Sequence, residues 1–211
     1  ERDGFNTVLV TSLGLFGTGQ ESSVKLDSIG KLPDNMVRIP SRTAQMNIIG
    51  LESYSGKRVG EFLIDQFEVT NENYKRFIDS GGYNNKSYWH YPISREGEEI
   101  SWDSAMNIFV DKTGKHAPAG WEVGKYPDGE ENYPVAGISW YEASAYAVYA
   151  GKKLPTVYHW SSIAETSQAM NIIPLSNFNG KSIVAVGSME GISSYGIYDL
   201  AANTGWVNVG V

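Results

Sequence analysis

Hydrophobic residues in this chain come in short runs, and the spacing changes from run to run. Thr7–Val10 and Ser23–Leu26 read as strands on either side of a turn region over Gly14–Gly19. Met36–Pro40 reads as another short strand. Glu61–Val69 reads as a mostly apolar one, rich in β-branched and aromatic residues. The spacing then becomes helical. Behind Thr70, a cap residue, Tyr74, Phe77 and Ile78 fall at i, i+3 and i+4 and share one face. Gly81-Gly82 ends that helix with the left-handed backbone glycine accepts.

A long irregular stretch follows, from Tyr83 to Asn132, interrupted by a short helix over about 102–110 with Ser101 as its cap and a turn at Asp128-Gly129. The best-bounded element comes next. Ser139 and Glu142 form Ser-x-x-Glu, in which each side chain satisfies the other's free backbone N–H. Residues 140–150 are almost all Ala, Tyr or Val, and Ala143, Ala147 and Ala150 make a small-residue face for close approach. Gly151 terminates this helix, Lys152 and Lys153 sit at its negative end, and Leu154-Pro155 turns the chain. Thr156 caps a further helix over about 157–165. Ile172–Leu175, Ile183–Val186 and Gly196–Asp199 read as short strands. Helices and strands do not alternate, so a doubly wound sheet is not expected. The expected class is α+β, with few helices, short antiparallel strands and long irregular loops. Residues 1–33 read as a β-rich appendage or the end of a preceding domain, and 34–211 as the main domain.

Composition narrows the function classes. A net charge of −7 over 211 residues argues against binding a phosphate backbone. Glu98-Glu99 and Glu130-Glu131 read as solvated turns. No apolar run approaches the roughly 20 residues of a membrane helix, and Thr7–Phe16 reads as a strand, not a signal peptide. The chain starts at Glu1, which suggests a longer or processed polypeptide. There is no cysteine, so the chain offers neither a disulfide nor a thiolate ligand or nucleophile. His90, His116 and His159 match no metal-ligand spacing. The middle region carries Tyr88, Trp89, Tyr91, Trp102, Trp121 and Tyr126. Such rings either fill a core built from loops or line a groove for a peptide or glycan. Trp89, Trp102, Trp121 and Tyr126 are the ligand-binding candidates.

Five blocks in order carry a family resemblance: Met36–Pro40; Phe67–Asn71 with Tyr74 and Phe77; Tyr133–Val135 through Trp140 with Ala143, Tyr146 and Ala147; Lys153–Thr156 with Trp160; and Gly196–Asn203. Together they resemble the formylglycine-generating enzyme, or sulfatase-modifying factor, family over residues 36 to about 207. The resemblance implies a C-type-lectin-like fold. Trp121–Gly124, Tyr126–Gly129 and Ile173–Phe178 are similar to the form joined to bacterial serine/threonine kinases or periplasmic modules.

Active members of that family oxidise a substrate cysteine with oxygen and a copper ion held by two cysteines near the C-terminal end. No such pair exists here, and the chain stops before that region would be complete. Copper is therefore not expected in this chain. The resemblance also implies two calcium positions, one at Asn177 and Phe178, the other at Asp199 with the carbonyls of Ala202 and Thr204. At the second the expected Glu is replaced within Asn203–Val207. The functional expectation is a non-catalytic binding or sensory module of a larger bacterial protein, with an unknown protein, peptide or glycan partner. The alternatives are a fragment of an oxidising enzyme whose cysteine-bearing part lies elsewhere, and a lectin-like ligand-binding protein. An extracytoplasmic setting is preferred.

Overall fold

A computed structural model describes residues 3–5, 26–44, 54, 56–164, 172–177, 180, 182–200 and 203. Among these, six short strands pair two by two, all antiparallel. β1 (Met36–Ile39) pairs with β4 (Phe62–Asp65), with Met36 opposite Asp65 and Ile39 opposite Phe62. β2 (Arg42–Ala44) pairs with β3 (Lys57–Val59). β5 (Ser94–Arg95) and β6 (Glu98–Glu99) form a small hairpin, turned by Glu96 and Gly97 at positive φ. Four α-helices join them: α1 (Asn71–Asp79), α2 (Trp102–Met106), α3 (Trp140–Tyr149) and α4 (Val157–Ile163). The architecture is α+β, with few helices and short antiparallel strand pairs.

The expected caps form. Thr70 Oγ1 accepts from the Asn73 N–H at 3.2 Å, and Ser101 Oγ from the Ser104 N–H at 3.2 Å. Two further N–H groups at the start of α1, those of Asn71 and Glu72, donate to the carbonyls of Tyr133 and Glu131. Val135 N–H donates to Val69 O at 2.8 Å. The approach to α3 is thereby fastened to the start of α1, and long-range bonds replace the sheet ladder that this fold lacks. Both long helices end alike. After α1, Gly81 at φ 79° donates to Ile78 O and Gly82 to Phe77 O; after α3, Gly151 at φ 70° donates to Val148 O and Lys152 to Ala147 O. These paired bonds satisfy carbonyls that the last turn leaves free. Gly82 is required for a second reason: a Cβ there would lie 2.2 Å from the Phe77 ring.

Two apolar cores result. The larger gathers α1, α3 and the loops around Tyr74, Phe77, Trp121, Val135 and Tyr146. Its rings meet mostly edge-on or offset, with Tyr74 within 5.4 Å of Phe77 and 5.5 Å of Tyr146. Such arrangements suit the ring quadrupoles. The smaller core holds Ile39, Phe62 and Ile64 from β1 and β4, Ile163 from α4, and Ile197 and Leu200. A partly buried ion pair between Lys152 and Asp65 joins the end of α3 to β4.

Several elements differ from expectation. α2 stops at Met106, because Ile108 and Val110 donate to Ala105 O and Ile108 O in tight turns. β4 ends at Asp65, before Val69. Ile173–Leu175 is a 3₁₀ turn, with Pro174 supplying a fixed φ and no donor for a ladder. Ile183–Val186 is irregular, and Val186 N–H bonds to Asn132 O. The expected strands at Thr7–Val10 and Ser23–Leu26 lie outside the described residues, apart from Leu26, which is in none, and so does most of the 1–33 appendage. α4 ends at Ile163, two residues before the expected end, and residue 165 is not described.

α4 has a cap of unusual chemistry. Thr156 Oγ1 accepts from the His159 N–H at 3.4 Å, while His159 Nδ1 faces the Thr156 hydroxyl at 2.7 Å and its N–H at 3.2 Å. The imidazole occupies the place of the usual Glu or Gln. It also meets Phe62 edge-on at 4.7 Å.

Two predictions follow from these caps. Ser139→Ala should cost about 0.5–2 kcal/mol through loss of the α3 cap, read from the denaturant midpoint; an unchanged midpoint would show the cap contributes nothing. For His159, burial lowers the folded pKa below its ordinary value, because the charged imidazolium loses hydration there. The unfolded chain therefore binds the proton first, and this contribution is present above about pH 6.5 and lost as pH falls below it. Chemical denaturation at pH 7.5 and 5.5 should show a smaller pH-dependent loss in His159→Gln than in the parent chain.

Candidate functional site

At the centre of the larger core sits a carboxylate. Glu142, at the third position of α3, is only 4% exposed. Its Oε2 accepts from the Ser139 N–H at 2.7 Å, completing the capping box, and its Oε1 accepts from the Tyr83 hydroxyl at 2.6 Å. The Tyr83 hydroxyl in turn meets that of Tyr74 at 3.1 Å, and its ring stacks on His116 at 5.5 Å. Burial pushes the Glu142 carboxyl above its ordinary pKa, and the Tyr83 and Ser139 donors pull it back. Burial also pushes both phenols upward. The array thus ties α1, the following loop and α3 together, and all three side chains are closed off from solvent.

Of the four aromatic candidates for ligand binding, Trp121 lies deepest, 4% exposed, with Tyr74 and Tyr126 edge-on to it. Tyr126 is partly buried against that core. Trp89 is half-buried, stacks on Phe109 at 5.4 Å and donates its indole N–H to Gly82 O at 3.0 Å. Trp102 packs against the same core, and its buried indole N–H has no hydrogen-bond partner among the described residues. All four belong to that core or pack against it.

Three other described phenol or indole rings are exposed: Tyr54, Tyr91 and Trp140. Tyr91 and Trp140 are 53% and 54% exposed and lie edge-on at 4.9 Å. Tyr141 stands perpendicular to Trp140 at 5.6 Å, and its hydroxyl accepts from the Ser94 N–H at 3.0 Å. Trp140 is the first residue of α3, directly after Ser139. Trp140 precedes Ala143 and Ala147 by three and seven residues and so shares their helix face; its exposure comes from its place in the first turn of α3, which the spacing alone does not reveal.

Of the calcium candidates, Phe178, Ala202 and Thr204 lie outside the described residues. Asn177 donates its amide to Ser182 O at 2.9 Å and to Asn203 Oδ1 at 3.1 Å. Asn203 also bonds both backbone groups of Val184. This end is held by hydrogen bonds within the protein. Asp199 is the other candidate. It is buried, sits at φ 58°, and its Oδ2 accepts from the Gly187 N–H at 2.8 Å. Burial raises its pKa, opposed by that one donor, and a bound cation would relieve the same cost. Gly187 has its own constraint, since at φ 67° a Cβ would lie 2.4 Å from the Phe67 ring. Among the described residues no three His, Cys, Asp or Glu side chains cluster as a metal site.

Elsewhere, Asp111 is the most fully satisfied carboxylate. Desolvation pushes its pKa up, but donors from Gly124, Lys115 and Thr113 outweigh it and hold the value at about 2. It locks the loop that carries Trp121 and is structural.

The sulfatase-modifying factor enzyme 1-like domain matches residues 27–206. The chain belongs to this family. Its relatives are of several kinds. The serine/threonine-protein kinase pkn1 of Chlamydia pneumoniae is 28% identical over 150 residues, 67% of this chain and 21% of the kinase. The formylglycine-generating enzyme of Thermomonospora curvata is 30% identical over 127 residues, 51% of this chain and 38% of the enzyme. The inactive C-alpha-formylglycine-generating enzyme 2 of Bos taurus is 25% identical over 211 residues, 80% of this chain and 68% of that protein. The sulfatase-modifying-factor domain therefore occurs in enzymes, in a protein named inactive and in kinases. This chain spans about a fifth of the kinase it matches.

The Tyr83–Glu142 bond can be tested directly. Tyr83→Phe leaves a buried carboxylate oxygen without its donor and should cost about 1–3 kcal/mol in denaturant unfolding. Unaltered stability would mean that the carboxylate is satisfied without the phenol.

Proposed function

We propose that this chain is a non-catalytic sulfatase-modifying-factor-like module that serves a larger bacterial protein by binding or sensing. One observation carries the reading: the chain belongs to the family yet contains no cysteine. A redox centre based on Cu(I) needs soft thiolate ligands, and this stretch supplies none. The buried Glu142–Tyr83–Tyr74 array, the residue group nearest in kind to an active centre, is enclosed and hydrogen-bonded, which suits a scaffold. The likeness to pkn1 and to a protein named inactive supports the same reading. Among the described residues no helix is long and apolar enough to cross a membrane.

The decisive experiment supplies the purified chain with copper, oxygen and a cysteine-bearing peptide and follows the peptide by mass spectrometry. The peptide should be recovered unconverted; catalytic conversion by this chain alone would overturn the proposal. We also propose calcium at the Asp199 end, on the strength of that buried carboxylate. The melting temperature should then be higher in excess Ca²⁺ than in EDTA, and equal values would remove calcium from the account.

A further inference from the structure

Trp140 and Tyr91 are large rings left more than half in water, although most of the other described aromatics are at least partly buried. We propose that their corner, together with Glu99, is a docking surface for a lysine- or arginine-bearing segment of a partner protein. This rests on reading the chain as a binding module and names the class of ligand it takes.

Two features lead to that class. The first is the shape of the corner. Trp140 is flanked by Tyr91 at an interplanar angle of 62° and by Tyr141 at 82°. An exposed indole face framed by two phenol rings attracts a cation through its quadrupole, with Trp the strongest partner. The second is the charge beside it. The β5–β6 hairpin is pinned to the corner through Ser94, whose N–H and hydroxyl both reach the Tyr141 hydroxyl, at 3.0 and 2.9 Å. Glu99 lies directly opposite Ser94. Cross-strand partners share one face of a pair, so Glu99 stands on the same side of the hairpin as the Ser94 side chain.

The stretch 90–103 carries the exposed carboxylates Glu96, Glu98, Glu99 and Asp103 and one guanidinium, Arg95, which stands cross-strand from Glu98. The Arg95 Nε–Glu96 contact is long, 3.9 Å. Glu98, Glu99 and Asp103 form no ion pair among the described residues. A wholly apolar occupant would have to desolvate these carboxylates without compensation, and an anionic one would be repelled. A cationic side chain satisfies both the carboxylates and the indole.

The test uses the chain as it stands and calorimetric titration with three probes: a capped heptapeptide of alternating arginine and glycine, its glutamate counterpart, and cellotetraose. The arginine peptide should bind saturably and the glutamate peptide should not. Trp140→Ala and Glu99→Gln should each weaken binding by about fivefold or more, and Glu99→Gln should also reduce the dependence on salt. Both residues are exposed, so melting temperatures should be retained; Glu99→Gln serves alone if Trp140→Ala proves unstable. Absence of arginine-peptide binding, equal binding of the two peptides, or insensitivity to both substitutions overturns the proposal. Cellotetraose binding that is lost in Trp140→Ala, without peptide binding, also overturns it in favour of a glycan and leaves the module reading intact. That reading fails separately, if the chain catalyses copper-dependent conversion.

Discussion

A single buried carboxylate organises the larger core. Removing Glu142 from water is unfavourable, and the structure accommodates it only because each oxygen has a short hydrogen bond, one from Ser139 N–H and one from the Tyr83 hydroxyl. The same side chain therefore does two jobs. It starts α3 at a defined residue, and it fixes the loop after α1 against that helix. Tyr74 extends the chain of hydroxyls into α1. A hydrophobic residue at position 142 could bury as much area but would hold neither the helix start nor the loop in register.

That arrangement matters because the fold has little sheet to supply order. Its strand pairs are two to four residues long. Backbone groups in the long loops are satisfied by other means: carbonyls of 131 and 133 receive donors from the start of α1, Asp111 gathers donors from its own loop, and Asn203 clasps Val184. Some of these bonds are local and others join segments distant in sequence, so the loops are held by specific polar contacts as well as by packing. Within that frame the rings divide: Tyr74, Phe77 and Trp121 are enclosed, and Tyr91 and Trp140 remain at the rim.

Family membership in this chain rests on residues that serve folding. The scaffold blocks that carry the resemblance are the capped helix starts, the glycine ends and the core aromatics, all of which serve folding. None of the 211 residues is a cysteine. The exposed aromatic corner formed by Tyr91 and Trp140 lies beside the acidic β5–β6 hairpin.

The sequence by itself determined the local boundaries. Thr70, Ser101, Ser139 and Thr156 are caps whose hydrogen bonds span three residues, and Gly81 and Gly151 are ends whose geometry only glycine takes readily, so neighbours in the chain suffice to read them. The α+β class followed from the same short-range signals. Whether Trp121 or Trp140 faces water depends on which segments pack against it. The partners of Trp121 include Tyr74, far away along the chain, and the exposure of Trp140 depends on nothing covering the start of α3. The shortening of α2 and the turn at Ile173–Leu175 were likewise decided by competing loop bonds and by Pro174. Only the tertiary structure joined Glu142 to Tyr83 across 59 residues, because the burial that makes that bond necessary exists only once the chain has closed around it.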